Sequence, residues 1–437
     1  MVRARKTSNL GADIRGDTSA PAMSTMNEVS PIDAKQPPWD TAAQPADISK
    51  SHSKRRRSRS FIRRFKDTCL KHTWLLPLLI LAVLLAAYAV NPTPSNPLHY
   101  AIFLSYPQPP KTPGGPIMYG KGKKDIAFCA FYTIVLSFTR EFLMQRVIRP
   151  FAVYCGIRGK GKTARFMEQV YTAIYFAIFG PYGLYVMSRT NIWYFNTTAM
   201  FEGFPHREHE GLFKAYYLLQ ASYWAQQAIV LLLQLEKPRK DFKELVGHHI
   251  ITLALIALSY RFHFTYIGLA VYITHDVSDF FLATSKTLNY IDAYITAPYF
   301  GFFVFVWIYM RHYLNLKFLW AVLTEFRTVG PFELNWETQQ YKCWISQYIT
   351  FALLASLQAV NAFWLFLILR ILKNYLFSNI KKDERSDDED EEEEELEQAA
   401  GSAAALATGT EQAELKARSA NEKSTPQVMV NGQPVKR

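Results

Sequence analysis

Long apolar runs separated by short charged stretches fill residues 74–372, whereas both ends of the chain are polar throughout. The runs are Trp74–Val90, Ile126–Ile148, Phe166–Met187, Leu212–Leu235, Leu245–Tyr260, Phe262–Phe281, Ala293–Met310 and Ile345–Leu372. Most reach the ~17–25 residues with which a helix crosses a ~30 Å hydrocarbon core. The pattern therefore predicts an all-α polytopic membrane protein with about eight transmembrane helices. Only Arg261 separates the fifth and sixth runs, which predicts a tight helical hairpin. Segment 91–124 is rich in proline and reads as a loop, as does 311–344. A first helix over 73–90 and a helical domain over 125–375 are then flanked by 1–72 and 376–437. Neither flank has apolar side chains enough to form a core, so both termini are predicted to be disordered.

Composition sharpens this picture. Apolar residues make up 49% and aromatics 15% of the 437 residues, nearly all in the middle, which excludes an ordinary cytosolic enzyme. Cys69, Cys129, Cys155 and Cys343 form no CxxC pair, so no zinc ribbon or redox motif is encoded. The net charge of +12 conceals an asymmetry, because 383–397 carries twelve acidic side chains against Arg385. A basic body suggests nucleic acid or anionic membrane, and the apolar middle decides for membrane lipid and against nucleic acid. Basic residues cluster before the first run, from Lys54 to Lys66, and in 149–165 and 236–244, whereas 188–211 holds only Arg189 and Arg207. The positive-inside rule then puts both termini in the cytosol. It also puts the sequon at Asn196 in the lumen, as a candidate glycosylation site. Ser386, ahead of the acidic run, and Ser58 and Ser60, among arginines, are candidate phosphorylation sites.

The apolar middle holds an unusual set of ionisable groups: His248, His249, His263, His275, Asp276, Asp279 and Lys286. Such groups at membrane depth are costly and rarely face lipid, so they mark a functional site. His249 lies 12 residues before the Arg261 turn and Asp276 lies 15 after it, so at 1.5 Å per residue they sit at ~18 and ~22 Å from the turn. The spacing of His275, Asp276 and Asp279 predicts one shared helix face. His263, near the turn, is too far in depth to join them. Three readings remain: a polar network holding two helices, a metal site, or acid–base or nucleophilic catalysis with carboxylates orienting imidazole. The apolar runs hold no HxxH or HxxHH box of the kind that membrane hydroxylases and desaturases share, the one HxxH (His206–His209) lying in the polar 188–211 segment, so no metal is expected. A basic stretch just ahead, Lys237, Arg239, Lys240 and Lys243, fits either phosphate binding or topology.

These residues also carry a resemblance. The run RKDFKELVGHH from Arg239 to His249, the HDVSD element from His275 to Asp279, Lys286 and Asn289-Tyr290 together resemble the signature of the longevity-assurance ceramide synthases. Those enzymes belong to the TLC-domain membrane proteins. The Pro-rich 91–125 segment and acidic tail make the chain more similar to fungal members. The resemblance implies a six-helix TLC barrel around a substrate tunnel in the endoplasmic reticulum membrane. It implies transfer of an acyl group from acyl-CoA, as co-substrate and without further cofactor, to a long-chain sphingoid base. His248, His249, His275, Asp276 and Asp279 would be catalytic, and Lys237, Arg239, Lys240 and Lys243 would meet the CoA phosphates. A small single-span accessory subunit and a homo- or heterodimer with a paralogue are implied partners, and 311–344 is where chain length would be selected. Histidine near pKa 6.5 suits the proton of an attacking amine, and it can also carry the acyl group itself. The rival is a non-catalytic TLC-type protein that senses or carries lipid, which has no need of histidines and aspartates at one depth.

Overall fold

The structure, a computed structural model, describes residues 63–110, 113–157, 159–233, 241–378 and the paired dipeptides Met429–Val430 and Gln433–Pro434. Ser58, Ser60, Ser386, Lys237, Arg239 and Lys240 lie outside the described residues, as do most of the two flanks. The chain divides into 1–64 and 65–437, and the description below concerns the second unit.

Eight helices follow the eight apolar runs in order. They are α1 Leu75–Val90, α2 Lys124–Leu143, α3 Lys160–Ser188, α4 Gly211–Leu232, α5 Phe242–Arg261, α6 Thr265–Tyr290, α7 Thr296–Trp307 and α8 Trp344–Ser378. Both α2 and α7 run on through a widened π turn, α2 as far as Tyr154 and α7 through Ile308–Leu314 to Thr324. By length and hydropathy alone, four of the described helices can cross a membrane, or five if α1 is joined to the short helix Arg63–Lys71 before it. Those that fall short, α4, α6 and α7, are the ones that bury Lys214, Gln220, His275, Asp276 and Arg311. Their low hydropathy thus reflects polar groups turned toward protein, as polar residues in membrane helices are.

The connections sort to two ends, as alternating spans require. At one end, segments 91–123, 189–210, 262–264 and 325–343 meet. There β1 Pro107–Gln108, β2 Met118–Tyr119 and β3 His209–Glu210 form a small antiparallel sheet. Lys214 Nζ pairs with Asp125 Oδ1 at 2.7 Å and donates to the Ser105 and Gly120 carbonyls, which seals this sheet end without leaving the buried ammonium unsatisfied. The opposite end carries Thr73 bonded to Glu141, and Asp241 bonded to the Trp364 indole at 3.2 Å.

Two elements differ from the sequence expectation. Segment 311–324 is helix, not loop; the connection begins only at Glu325. Arg311, His312, Asn315 and Lys317 interrupt the apolar run there, yet Phe318, Leu319, Ala321 and Val322 keep a buried stripe at helical spacing. The hairpin turn is Phe262–Phe264 rather than Arg261 alone, with His263 in the left-handed region at φ 67°, and α6 starts three residues late and runs nine further. Segment 91–124, expected as a plain loop, supplies two of the three strands. In the core α3 lies along α6, and Gly183 lets them close: a Cβ there would run into the Tyr216 hydroxyl and Ile273.

Candidate functional site

Two cavities lie end to end, the first among α4, α5, α6 and α8, the second reaching also α2, α3 and α7. The first, about 240 Å³, runs from His248 and Thr252 along α5, α6 and the start of α8 to Phe262 and Phe264 at the sheet end. Its wall is almost wholly apolar, and it follows α5 for ~21 Å from His248 to Phe262. Leu334, Trp336 and Tyr341 of the 325–343 connection line its far end. The second, about 220 Å³, opens toward the other end and is lined by charge: Arg140, Glu168, Asp241, Asp279, Lys286 and Arg311. Both cavities include His248 and Trp224 in their walls.

The three histidines of the site differ in what holds them. His249 donates Nδ1–H to the Leu245 carbonyl at 2.8 Å, and His275 donates Nδ1–H to the Val271 carbonyl at 2.8 Å. A helical carbonyl four residues back thus fixes the tautomer of each, with Nε2 as the basic nitrogen. His275 Nε2 accepts from the Asn361 amide at 3.3 Å. His248 is not tied in this way. Its Nδ1 is buried with no hydrogen-bond partner among the described residues, and Thr252 Oγ1 stands 3.5 Å from Nε2. Aromatic rings set its place: Trp364 at 5.1 Å, Trp224 at 5.6 Å and His249 at 5.7 Å between centroids, all edge-on.

The two aspartates part company. Asp279 ion-pairs with Arg311 Nη2 and lines the polar cavity. Asp276 is fully buried, lines neither cavity, and accepts from the Tyr216 hydroxyl at 2.8 Å and from the Gln220 amide on α4. The expected shared face is thus a fan: at ~100° per residue, Asp279 lies between His275, which faces α8, and Asp276, which faces α4. Sequence reasoning missed what joins them. Arg311, 2% exposed within the π turn of α7, donates Nε–H to Ser278 Oγ at 2.6 Å and Nη1–H to Asn361 Oδ1 at 3.1 Å. Its guanidinium lies 4.1 Å over the Trp307 ring. The signal was available, since an arginine one residue past an apolar run is either a flank or a buried functional group, but run length alone reads it as a flank.

Other predicted residues stand apart. Lys243 is exposed in the first turn of α5 and lines neither cavity. Asn196 is exposed at the sheet end, beside Thr197 and Thr198, whose hydroxyls donate to Glu325 at 2.9 Å. His263 sits in the α5–α6 turn, where burial pushes it down to about 3; its Nδ1 accepts a hydrogen bond from Lys121 Nζ at 3.4 Å and its Nε2–H donates to Gln339 Oε1 at 3.2 Å. Among the described residues no three His, Cys, Asp or Glu side chains are grouped to hold a metal ion.

Residues 165–370 match the TLC domain. The chain is similar to sphingosine N-acyltransferase lac1 of Schizosaccharomyces pombe, 54% identical over 77% of this chain and 87% of that one. It is similar to the sphingosine N-acyltransferase-like protein FUM17 of Gibberella moniliformis, 53% identical over 77% of this chain and 88% of that one. Ceramide synthase LAG1 of Saccharomyces cerevisiae is 53% identical over 74% of this chain and 78% of its own.

Proposed function

The chain belongs to the ceramide synthases of the TLC-domain family, and from that premise we propose that it joins a fatty acyl group from acyl-CoA to the amine of a long-chain sphingoid base at His248. One observation carries the assignment to this residue: His248 stands where the apolar and charged cavities meet, with a buried Nδ1 that no described group satisfies. The apolar cavity suits the acyl chain. The charged one suits the thioester's polar end, with Lys286 and Arg140 better placed for phosphate than the exposed Lys243.

Acyl transfer from a thioester is limited by the amine, which is mostly protonated at neutral pH, rather than by the thiol, whose pKa near 8.5 makes it a good leaving group. An imidazole not tied to a backbone carbonyl is available to take that proton, or to accept the acyl group first. His249 packs edge-on against His248, while Arg311 and Asn361 hold Asp279 and His275. Asp276 then acts as a positioning residue through α4. Leu334, Trp336 and Tyr341, at the sheet end of the apolar cavity, limit acyl length. The test is purified protein given sphinganine and acyl-CoA. Amide product by mass spectrometry is expected, and its absence from well-folded protein refutes the reading.

By the same reading we place the protein in the endoplasmic reticulum with the sheet end lumenal, both termini cytosolic and Asn196 available for a glycan. Protease added to sealed microsomes should remove epitopes at both termini, and endoglycosidase should shift the mass. Protection of either terminus refutes the placement. Assembly with a single-span subunit or a second ceramide synthase chain belongs to the same proposal, and native mass spectrometry from nanodiscs reads it directly.

A further inference from the structure

Among the described residues, His248 and Trp224 alone line both cavities, and each carries a buried nitrogen with no hydrogen-bond partner there. One is an acceptor or base, His248 Nδ1; the other is a donor, Trp224 Nε1–H. An indole N–H left unpaired at membrane depth is costly, and the ring has little freedom to seek a partner. It is 8% exposed on α4, edge-on to His248 at 5.6 Å, His249 at 5.9 Å and Tyr223 at 5.7 Å. Tyr223 is itself stacked on Tyr175 at 3.7 Å, so the wall behind Trp224 is rigid. A fixed, unsatisfied donor beside the reacting imidazole is what a developing oxyanion needs, since it costs no reorganisation at the moment of reaction.

We propose that the Trp224 indole N–H is the hydrogen-bond donor to the oxyanion that forms at the acyl carbonyl, which makes Trp224 a catalytic residue. The inference rests on the reading that acyl transfer occurs at His248. It holds whichever nitrogen attacks. The lone pair of that nitrogen forms the new C–N bond while the carbonyl π pair moves onto oxygen. If the amine attacks directly, that pair returns as the C–S bond breaks, and the thiolate takes up the proton that the amine gives up through His248. If imidazole attacks first, breaking of the C–S bond releases the thiolate and leaves an acyl-imidazole; the amine then attacks it, the acyl C–N(imidazole) bond breaks, and the amine proton passes to the freed imidazole. At each tetrahedral stage the negative oxygen lies beside the indole N–H.

The experiment replaces Trp224 by phenylalanine and by the benzothienyl isostere, which puts sulfur where the indole has N–H and keeps the ring. Each variant is assayed with acyl-CoA and with the dithioester analogue, whose sulfur accepts hydrogen bonds poorly. With acyl-CoA the isostere is expected to lose about 10²-fold in kcat, the lower end of what one oxyanion donor contributes. With the dithioester, wild type and isostere should converge. Wild-type kcat in the isostere overturns the proposal. So does an equal loss on both substrates, which marks a packing role. A wild-type protein that forms no amide from acyl-CoA refutes the underlying function instead, so the two failures are distinguishable.

Discussion

His248→Ala should lower N-acylation by at least ~10²-fold, the low end of a general acid–base contribution, with little change in folding. Among the described residues the ring makes no hydrogen bond shorter than the 3.5 Å approach to Thr252, so its removal breaks no strong polar contact there. His249→Ala should fall almost as far, because it removes the edge-on ring beside His248 and the fixed Nε2. The double variant should be little worse than either single one, since residues that act as a unit lose most of their function at the first substitution. A double variant whose loss is the sum of the two single losses would sink the idea of one unit. Asp276→Asn separates chemistry from position: it keeps an acceptor for the Tyr216 hydroxyl and removes the charge, so its effect should appear in the melting temperature as well as in turnover. Acyl-CoA alone, quenched rapidly and read by intact mass, decides the route. An adduct on His248 means that imidazole attacks first, and full turnover without one means that it serves as base.

How far this was legible in the chain follows from what each feature depends on. The bilayer sets the length of an apolar run, so eight runs translate into eight helices in order, although the ends shift, α6 running nine residues past its run. Ionisable groups inside those runs are few and expensive, which is why His248, His249, His275, Asp276 and Asp279 stand out without any structure. Their partners do not stand out. Arg311 reads as a flank because polarity ends a run, although a wide π turn carries the helix on to Thr324. Trp224 is one tryptophan among nine. Its place beside His248 depends on how α4 crosses α5, which no local spacing records. Helical periodicity put the two aspartates near each other but could not say that α4 takes one and α7 the other. The cavities belong to the convergence of α4, α5, α6 and α8, with α2, α3 and α7 closing the charged one, so they appear only when those helices are packed.

Arg311→Met should cost stability first and activity as a consequence. Three nitrogens of one guanidinium reach Ser278, Asn361 and Asp279, and so tie α7 to α6 and α8. Through Asn361 the same group sets the ring of His275. Losing the cation leaves the Asp279 carboxylate in a low-dielectric site with its main counter-charge gone. Breaking one side of a buried pair typically costs about 3–5 kcal/mol, more than the intact pair is worth over an apolar replacement. The charge-free double variant, Arg311→Met with Asp279→Asn, should therefore be more stable than Arg311→Met alone, read as thermal unfolding in detergent. Its turnover should stay low, because Asp279 still no longer carries charge beside the polar cavity. Arg311→Lys should fall between: one ammonium keeps the charge but cannot replace a planar fork that also stacks on Trp307 at 4.1 Å. If Arg311→Met unfolds like the wild type, or if adding Asp279→Asn lowers its stability further, the pair is not what holds α6 to α7. Asp279 would then have to owe its position to the packing of α6 against α3, the most extensive helix contact in the fold.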